Sequence, residues 1–249
     1  MAIAETYDEY WKKRTRPSKQ WEDARVAGVL GPLFGRSSVL DYGCGIGKTY
    51  RPCLSAKVEK YSGADVSPFA VQTLAASGHA GYLINPDDSS IPVEDGFFDG
   101  ACSIEVIEHL MDPLAAAREL HRALKPGGVL IATVPNFGYH AWRLMALIRA
   151  QVPSEPERPL ENRFNGVHIR FFCASTFRRL FLDAGFENVR ITSFDDSSVW
   201  DVTRAFGPAA AVGDWARKNL PPLLQLRFLQ EIWPGLFACR LRAVAEKPG

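Results

Sequence analysis

Glu105, Glu108 and His109 stand at offsets of three and four in Ser103-Ile-Glu-Val-Ile-Glu-His-Leu110. If that segment turns helically, all three side chains share one face, where two carboxylates and an imidazole can converge on one divalent cation. A second cluster lies upstream, where Val39-Leu-Asp-Tyr-Gly-Cys-Gly-Ile-Gly-Lys-Thr49 carries an apolar strand through Asp41 into a turn containing Gly43, Gly45 and Gly47. Glycines at such a turn let bare backbone approach a nucleotide-like ligand where a strand gives way to a helix. A phosphate-gripping P-loop would need glycine where Tyr42 stands, and a dinucleotide fingerprint would place its third glycine on Lys48. Asp41 argues against both. Its carboxylate would repel a pyrophosphate, whereas it suits a ligand carrying an ammonium and a sulfonium. Asp65, about twenty residues on, is placed to accept both hydroxyls of a ribose, the competing role being a helix cap for Ser67-Pro68.

The glycine loop resembles the first motif of the class I S-adenosylmethionine-dependent methyltransferases, roughly V-L-D-x-G-C-G-x-G. Phe98-Asp-Gly-Ala-Cys-Ser-Ile-Glu-Val-Ile-Glu-His-Leu-Met-Asp-Pro113 resembles their fourth motif, and Lys125-Pro-Gly-Gly-Val-Leu-Ile-Ala-Thr-Val-Pro-Asn136 their fifth-strand signature. That resemblance implies cofactor contacts from Asp41, Gly43, Cys44, Gly45 and Gly47, a ribose held by Asp65, and adenine packed on Val66. It also implies that Asp87 accepts the adenine amino group and that the Ile104 backbone borders the adenosine. Turn chemistry alone would also place aspartates at 87 and 88. Glu-x-x-Glu-His is similar to a segment of the ubiquinone-biosynthesis O-methyltransferases and the small-RNA 2′-O-methyltransferases, which hold a metal ion against the acceptor hydroxyl. In both groups a histidine follows the lid, as His168 does here. The implied metal set is Glu105, Glu108, His109 and His168, holding Mg²⁺ or Mn²⁺ if carboxylates dominate and Zn²⁺ if imidazoles do. The alternative is a metal-free site in which His109 or His168, with Glu108, positions the acceptor or takes its proton.

Positioning these residues requires strands that alternate with helices. Strand-like runs fall near Ser38–Tyr42, Tyr61–Asp65, Gly81–Ile84, Phe98–Ser103, Val129–Val134, Val189–Ser193 and Phe237–Ala245, with helical stretches such as Phe69–Ala76, Leu114–Leu124 and Ala174–Ala184 between them. Such alternation predicts a parallel α/β sheet with helices on both faces. The resemblance makes it a Rossmann-like, doubly wound sheet of seven strands with an antiparallel last hairpin. A single domain is expected over residues 1–249: a helical segment to 35, a cofactor-binding core over 36–135, a lid over 136–166, and the C-terminal half of the sheet over 167–249. The lid holds an apolar helical stretch, Tyr139–Ala150, and then Val152-Pro-Ser-Glu-Pro-Glu-Arg-Pro159, which is too long for a simple connection. Trp142, Met145 and Ile148 recur at helical spacing, the mark of an amphipathic helix packing on its domain. Residues 200–233 carry no assignable pattern.

At 249 residues and 47% hydrophobic content the chain can bury one substantial core. A net charge of +1 with scattered Lys and Arg gives no electrostatic footprint for nucleic acid, so a small-molecule acceptor is the expected partner. Five cysteines without a C-x-x-C pair exclude a disulfide framework or zinc ribbon, and no apolar run is long enough to span a bilayer. A cytoplasmic location is expected. His79, His121 and His140 lack the context of a site. The expected reaction is O-methylation of a small molecule. Its rivals are metal-free methylation of a sugar or other secondary metabolite, 2′-O-methylation of a small RNA, and a non-catalytic cofactor-binding partner protein.

Overall fold

Helix starts and stops in this chain are set by short polar caps, and the sheet follows from what lies between them. The computed structural model describes residues 3–13, 23–47, 49–149, 168–193, 215, 219 and 228–249. Helix α1 (Ile3–Lys13) and α2 (Asp23–Leu30) precede β1 (Ser38–Tyr42), α3 (Arg51–Ser55), β2 (Lys60–Asp65), α4 (Pro68–Ala75) and β3 (Ala80–Leu83). Then come β4 (Phe98–Ile104), a 3-10 turn (Ile107–His109), α5 (Pro113–Ala123), β5 (Leu124–Pro135), α6 (His140–Arg149), α7 (Ala174–Asp183), β6 (Glu187–Ser193) and β7 (Arg240–Glu246). Ser67 caps α4 by accepting from Ala70 N at 3.2 Å, and Asp112 caps α5 by accepting from Leu114 N and Ala115 N, each at 3.0 Å. Proline follows each cap at the first helical position, where its missing N–H costs nothing.

The seven strands run in the order β3-β2-β1-β4-β5-β7-β6. β1 pairs in parallel with β2 and β4, β2 with β3, and β4 with β5, while β7 runs antiparallel to both β5 and β6. This is the doubly wound α/β sheet with an antiparallel final hairpin that the alternation and the resemblance imply. Because β1 and β4 are neighbours whose connections leave in opposite directions, their carboxyl ends open a crevice at the switch point, the usual ligand position in such sheets. Both faces are covered. One apolar layer joins Leu40, Ala101 and Leu130 to Leu120, Phe177 and Phe181, and the other joins Val39, Cys102 and Ile131 to Leu30, Leu33 and Leu54. Each fully buried Leu, Ile, Val or Phe among them contributes roughly 1.5–3 kcal/mol, so the strand ends that carry the site rest on a rigid core.

Leu124 continues directly into β5 because it pairs with Phe98 before a register shift, so Lys125-Pro-Gly-Gly lies inside the strand. Of the stretch expected to form a lid, residues 136–149 are described and contain α6, while the Pro-rich run over 152–159 lies outside the described residues. Most of the 200–233 stretch lies outside them as well. No helix among the described residues is long and apolar enough to cross a membrane.

Candidate active site

The carboxyl ends of β1, β2 and β4 border a cavity of about 230 Å³. Gly43, Asp65, Val66, Asp87 and Ile104 line it. Asp65 is buried, with Oδ2 accepting from Gly45 N at 2.8 Å and Oδ1 from Ser67 N at 2.9 Å. It therefore ties the glycine loop to the start of α4, while the capping of α4 falls to Ser67. A carboxylate offers about four lone-pair sites, so these two bonds do not exhaust it. Burial pushes its carboxyl up to about 6, opposed by those two backbone N–H groups. Asn85 and Asp88 perform the turn chemistry beyond β3, accepting from Asp87 N at 3.1 Å and Ser90 N at 2.9 Å. Asp87 itself lines the cavity.

Other residues of the loop stand behind that surface. Asp41 is fully buried and does not line the cavity; it accepts from the Tyr50 hydroxyl at 2.8 Å, the Tyr61 hydroxyl at 2.5 Å and the Cys102 thiol at 3.6 Å. Desolvation raises its carboxyl to about 6 in spite of those donors. Its place is that of an internal anchor for the loop, and the ligand-facing position expected for it is corrected accordingly. Cys44 likewise faces inward, against Gly63, and its N–H is taken by Ala64 O at 3.0 Å, the acceptor that Gly43 N also uses at 2.8 Å. Neither the Cys44 thiol nor its amide reaches the cavity. Gly47 closes the turn through its N–H to Cys44 O at 3.1 Å and packs on the Arg51 side chain.

Gly45 has φ +51°, and a Cβ there would stand 2.4 Å from the Trp11 ring. Gly45→Ala should cost about 1–2 kcal/mol of stability from its left-handed backbone alone, and it should displace α1 from the loop. Calorimetry should show S-adenosylhomocysteine affinity reduced at least ~tenfold. Unchanged melting and affinity would contradict this packing.

Beyond Ile104 the chain departs from the expected helix. Glu105 has φ +56°, and the segment makes only the 3-10 turn Ile107–His109. Glu105 lines the cavity but spends its carboxylate on the sheet: Oε1 accepts from Thr133 Oγ1 at 3.1 Å and Oε2 from Arg240 Nε at 3.1 Å. Glu108, His109 and His168 do come together, with one ligand atom from each lying within 4.8 Å of the others. His109 Nε2 and His168 Nε2 stand 3.8 and 3.9 Å from Glu108 Oε1, and the two rings are 5.0 Å apart. His168 is delivered by backbone: Ile169 N and Arg170 N donate to Glu108 O at 3.1 and 3.0 Å, and the Arg170 guanidinium binds the carbonyls of Leu110 and Met111. Only His109 of the three lines the cavity.

Glu108 is the most unusual group in the cluster. Its side chain is buried, both oxygens lack a hydrogen-bond partner among the described residues, and burial followed by repulsion from Glu105 drives its carboxyl well above the usual range. Leaving such a group unsatisfied is costly unless a ligand or ion completes it. The imidazole separations are too long for direct hydrogen bonds. Ligands held at about 2.0–2.2 Å from one ion lie roughly 3–4 Å apart, and each imidazole stands at such a distance from Glu108 Oε1.

A part of the cavity was invisible to motif reading. Tyr7, Tyr10 and Trp11 of α1 close one side of it, and their spacing of three and four on a helix was the available signal. Burial, then the charge of Asp65, pushes the Tyr7 hydroxyl up to about 12, so it stays a neutral donor at the pocket wall.

The sequence profile of the methyltransferase domain family matches residues 9–191. Over 127 residues the chain is 32% identical to a ubiquinone biosynthesis O-methyltransferase of Sodalis glossinidius, covering 49% of each protein. It is 30% identical over 192 residues to a tRNA U34 carboxymethyltransferase of Hahella chejuensis, covering 73% of this chain and 55% of that one. The chain spans about half the length of these curated relatives. A Haloferax volcanii methyltransferase solved in complex with its Trm112 activator superposes with a TM-score of 0.58 at 18% identity, covering 100% of this chain and 98% of the other. A Thermotoga maritima S-adenosylmethionine-dependent methyltransferase gives 0.58 at 16%, covering 99% and 100%. These two likenesses carry the fold. The chain belongs to the methyltransferase domain family, and its domain is of the class I, S-adenosylmethionine-dependent kind.

Proposed function

We propose that the protein transfers the methyl group of S-adenosylmethionine to a hydroxyl oxygen of a small-molecule acceptor, at the end of the cavity where His109 stands in front of Glu108 and His168. The observation that carries this reading is the buried Glu108, with two unpartnered oxygens and two imidazoles beside it, next to a cavity built for a nucleoside. The sulfonium methyl already carries the electrophilicity for an in-line displacement. The chain supplies proximity, exclusion of water, and removal of the acceptor proton. An oxygen acceptor needs that removal most. The names of relatives such as the Sodalis protein and an O-methyltransferase of Pyrenophora dematioidea support the same direction.

His109, the member of the cluster on the cavity wall, is the group that meets the acceptor hydroxyl. Glu108 and His168 stand behind it, with Glu108 Oε1 3.8 Å from its Nε2 and the His168 ring 5.0 Å away. The three also fit a divalent ion: one carboxylate and two imidazoles leave open positions and favour Zn²⁺ or Mn²⁺ over Mg²⁺, because Glu105 is engaged by Arg240. Such an ion, when bound, would lower the hydroxyl pKa. Methyl transfer from labelled cofactor, screened over phenolic, sugar and lipid hydroxyls with and without divalent cation, tests the proposal. Label appearing only on nitrogen or carbon would refute it.

Glu105 serves as the internal comparison. Since its carboxylate is committed to Thr133 and Arg240, Glu105→Ala should reduce turnover by less than about tenfold, well short of the loss expected at Glu108. Initial rates for the two variants side by side check this, and an equal collapse in Glu105→Ala would return Glu105 to the acceptor site.

A further inference from the structure

Helix α1 is fastened to the cofactor-binding turn by one side chain. Asp8 Oδ1 accepts from Ser67 Oγ and from Phe69 N, both at 2.7 Å, while Oδ2 meets Lys12 Nζ at 2.6 Å. The two donors belong to the turn that follows Asp65, so the latch sets α1 in register with the ribose carboxylate. One turn farther along α1, the Trp11 ring lies across Gly45 so closely that any side chain on that residue would overlap it. Trp11 lines the same cavity, yet its indole Nε1 is buried and has no hydrogen-bond partner among the described residues. A buried N–H without an acceptor is rare in folded proteins and asks for a ligand atom.

The chemistry of that atom is narrow. With ribose on Asp65 and adenine toward Asp87, the part of the cofactor that reaches Gly43 and Trp11 is its amino-acid tail, which carries an ammonium and a carboxylate. Indole N–H can only donate, so it selects the carboxylate. We propose that Trp11 is a cofactor-binding residue whose Nε1–H donates to the carboxylate of the methionyl tail, and that Asp8 is the positioning residue that holds it there. This inference rests on the reading that the cavity holds S-adenosylmethionine. It makes α1 a wall of the site that distinguishes the complete cofactor from nucleosides lacking the tail.

Trp11→Phe keeps a ring on Gly45 and deletes the donor. Calorimetry on the full chain should show S-adenosylhomocysteine binding about tenfold more weakly, the loss expected for one charge-assisted hydrogen bond, with 5′-methylthioadenosine, which has no carboxylate, changed less than about twofold. Asp8→Ala should also weaken S-adenosylhomocysteine binding, and adding Trp11→Phe to it should cost little more, because the donor is then already out of place. Equal weakening of both ligands by Trp11→Phe, or no change in either, would overturn the inference and leave Trp11 a packing residue. Additive losses in the double variant would overturn the positioning role of Asp8. Wild-type protein that bound neither ligand would instead overturn the cofactor reading, and this inference with it.

Discussion

Glu108→Ala and His168→Ala should each lower methyl-transfer turnover at least ~10²-fold while changing S-adenosylhomocysteine affinity by less than about threefold. The split follows from position. Neither side chain lines the cofactor cavity, and both converge on the imidazole that does. Groups that act on the acceptor oxygen contribute chiefly as negative charge develops there, so their removal is felt in turnover and not in binding of the product cofactor. Folding should survive both changes. Glu108 makes its structural contribution through its carbonyl, which receives Ile169 N and Arg170 N whatever the side chain, and truncating a buried carboxylate without partners relieves a desolvation cost. Chelation separates the two ways the site can work. Loss of activity in chelator, restored by Zn²⁺ or Mn²⁺, is the result expected of an ion held by Glu108, His109 and His168. Full activity in chelator together with a large His109→Ala defect would reject the ion and retain the histidine base.

Asp65→Ala should weaken S-adenosylmethionine binding at least ~tenfold, because a charge-assisted pair of hydrogen bonds to ribose is worth roughly 1.5–3 kcal/mol. Melting temperature should fall as well, since Gly45 N and Ser67 N lose their acceptor together. The pH dependence has a defined sign. With its carboxyl raised to about 6, Asp65 is ionised at pH 7 and becomes protonated as pH drops through that value, so cofactor affinity should decline between pH 7 and pH 5. Isothermal titration at both pH values, on wild type and variant, checks the assignment: the decline should shrink in Asp65→Ala. Wild-type affinity in that variant would remove Asp65 from the ribose.

Which parts of this architecture were legible depends on how local their causes are. The expected strand Ser38–Tyr42 has the observed bounds, and α5 starts behind Asp112-Pro113, because caps and apolar runs act over a few residues. The turn beyond β3 was legible as turn chemistry, and the structure shows that Asn85 and Asp88 perform it. Glu105 was not legible. Its placement comes from a positive φ at the end of β4 and from Arg240, 135 residues later, which β7 brings alongside β5. Asp41 was misplaced for a similar cause: Tyr50 and Tyr61 reach it only after α3 and β2 fold back over β1. The aromatic run of α1 was visible as composition, but its docking on Gly45 depends on Asp8 meeting a turn about sixty residues away.

The central claim is that methyl transfer from S-adenosylmethionine ends on oxygen at the Glu108, His109 and His168 site. Its most direct test is a single-turnover assay with methyl-labelled S-adenosylmethionine and a hydroxyl acceptor found by the screen, run on wild type and Glu108→Ala at saturating cofactor, with the labelled product resolved by mass spectrometry and NMR. The account predicts label in an O-methyl group and a rate at least ~10²-fold slower in the variant. Label on nitrogen or carbon, or an undiminished rate in Glu108→Ala, would contradict it.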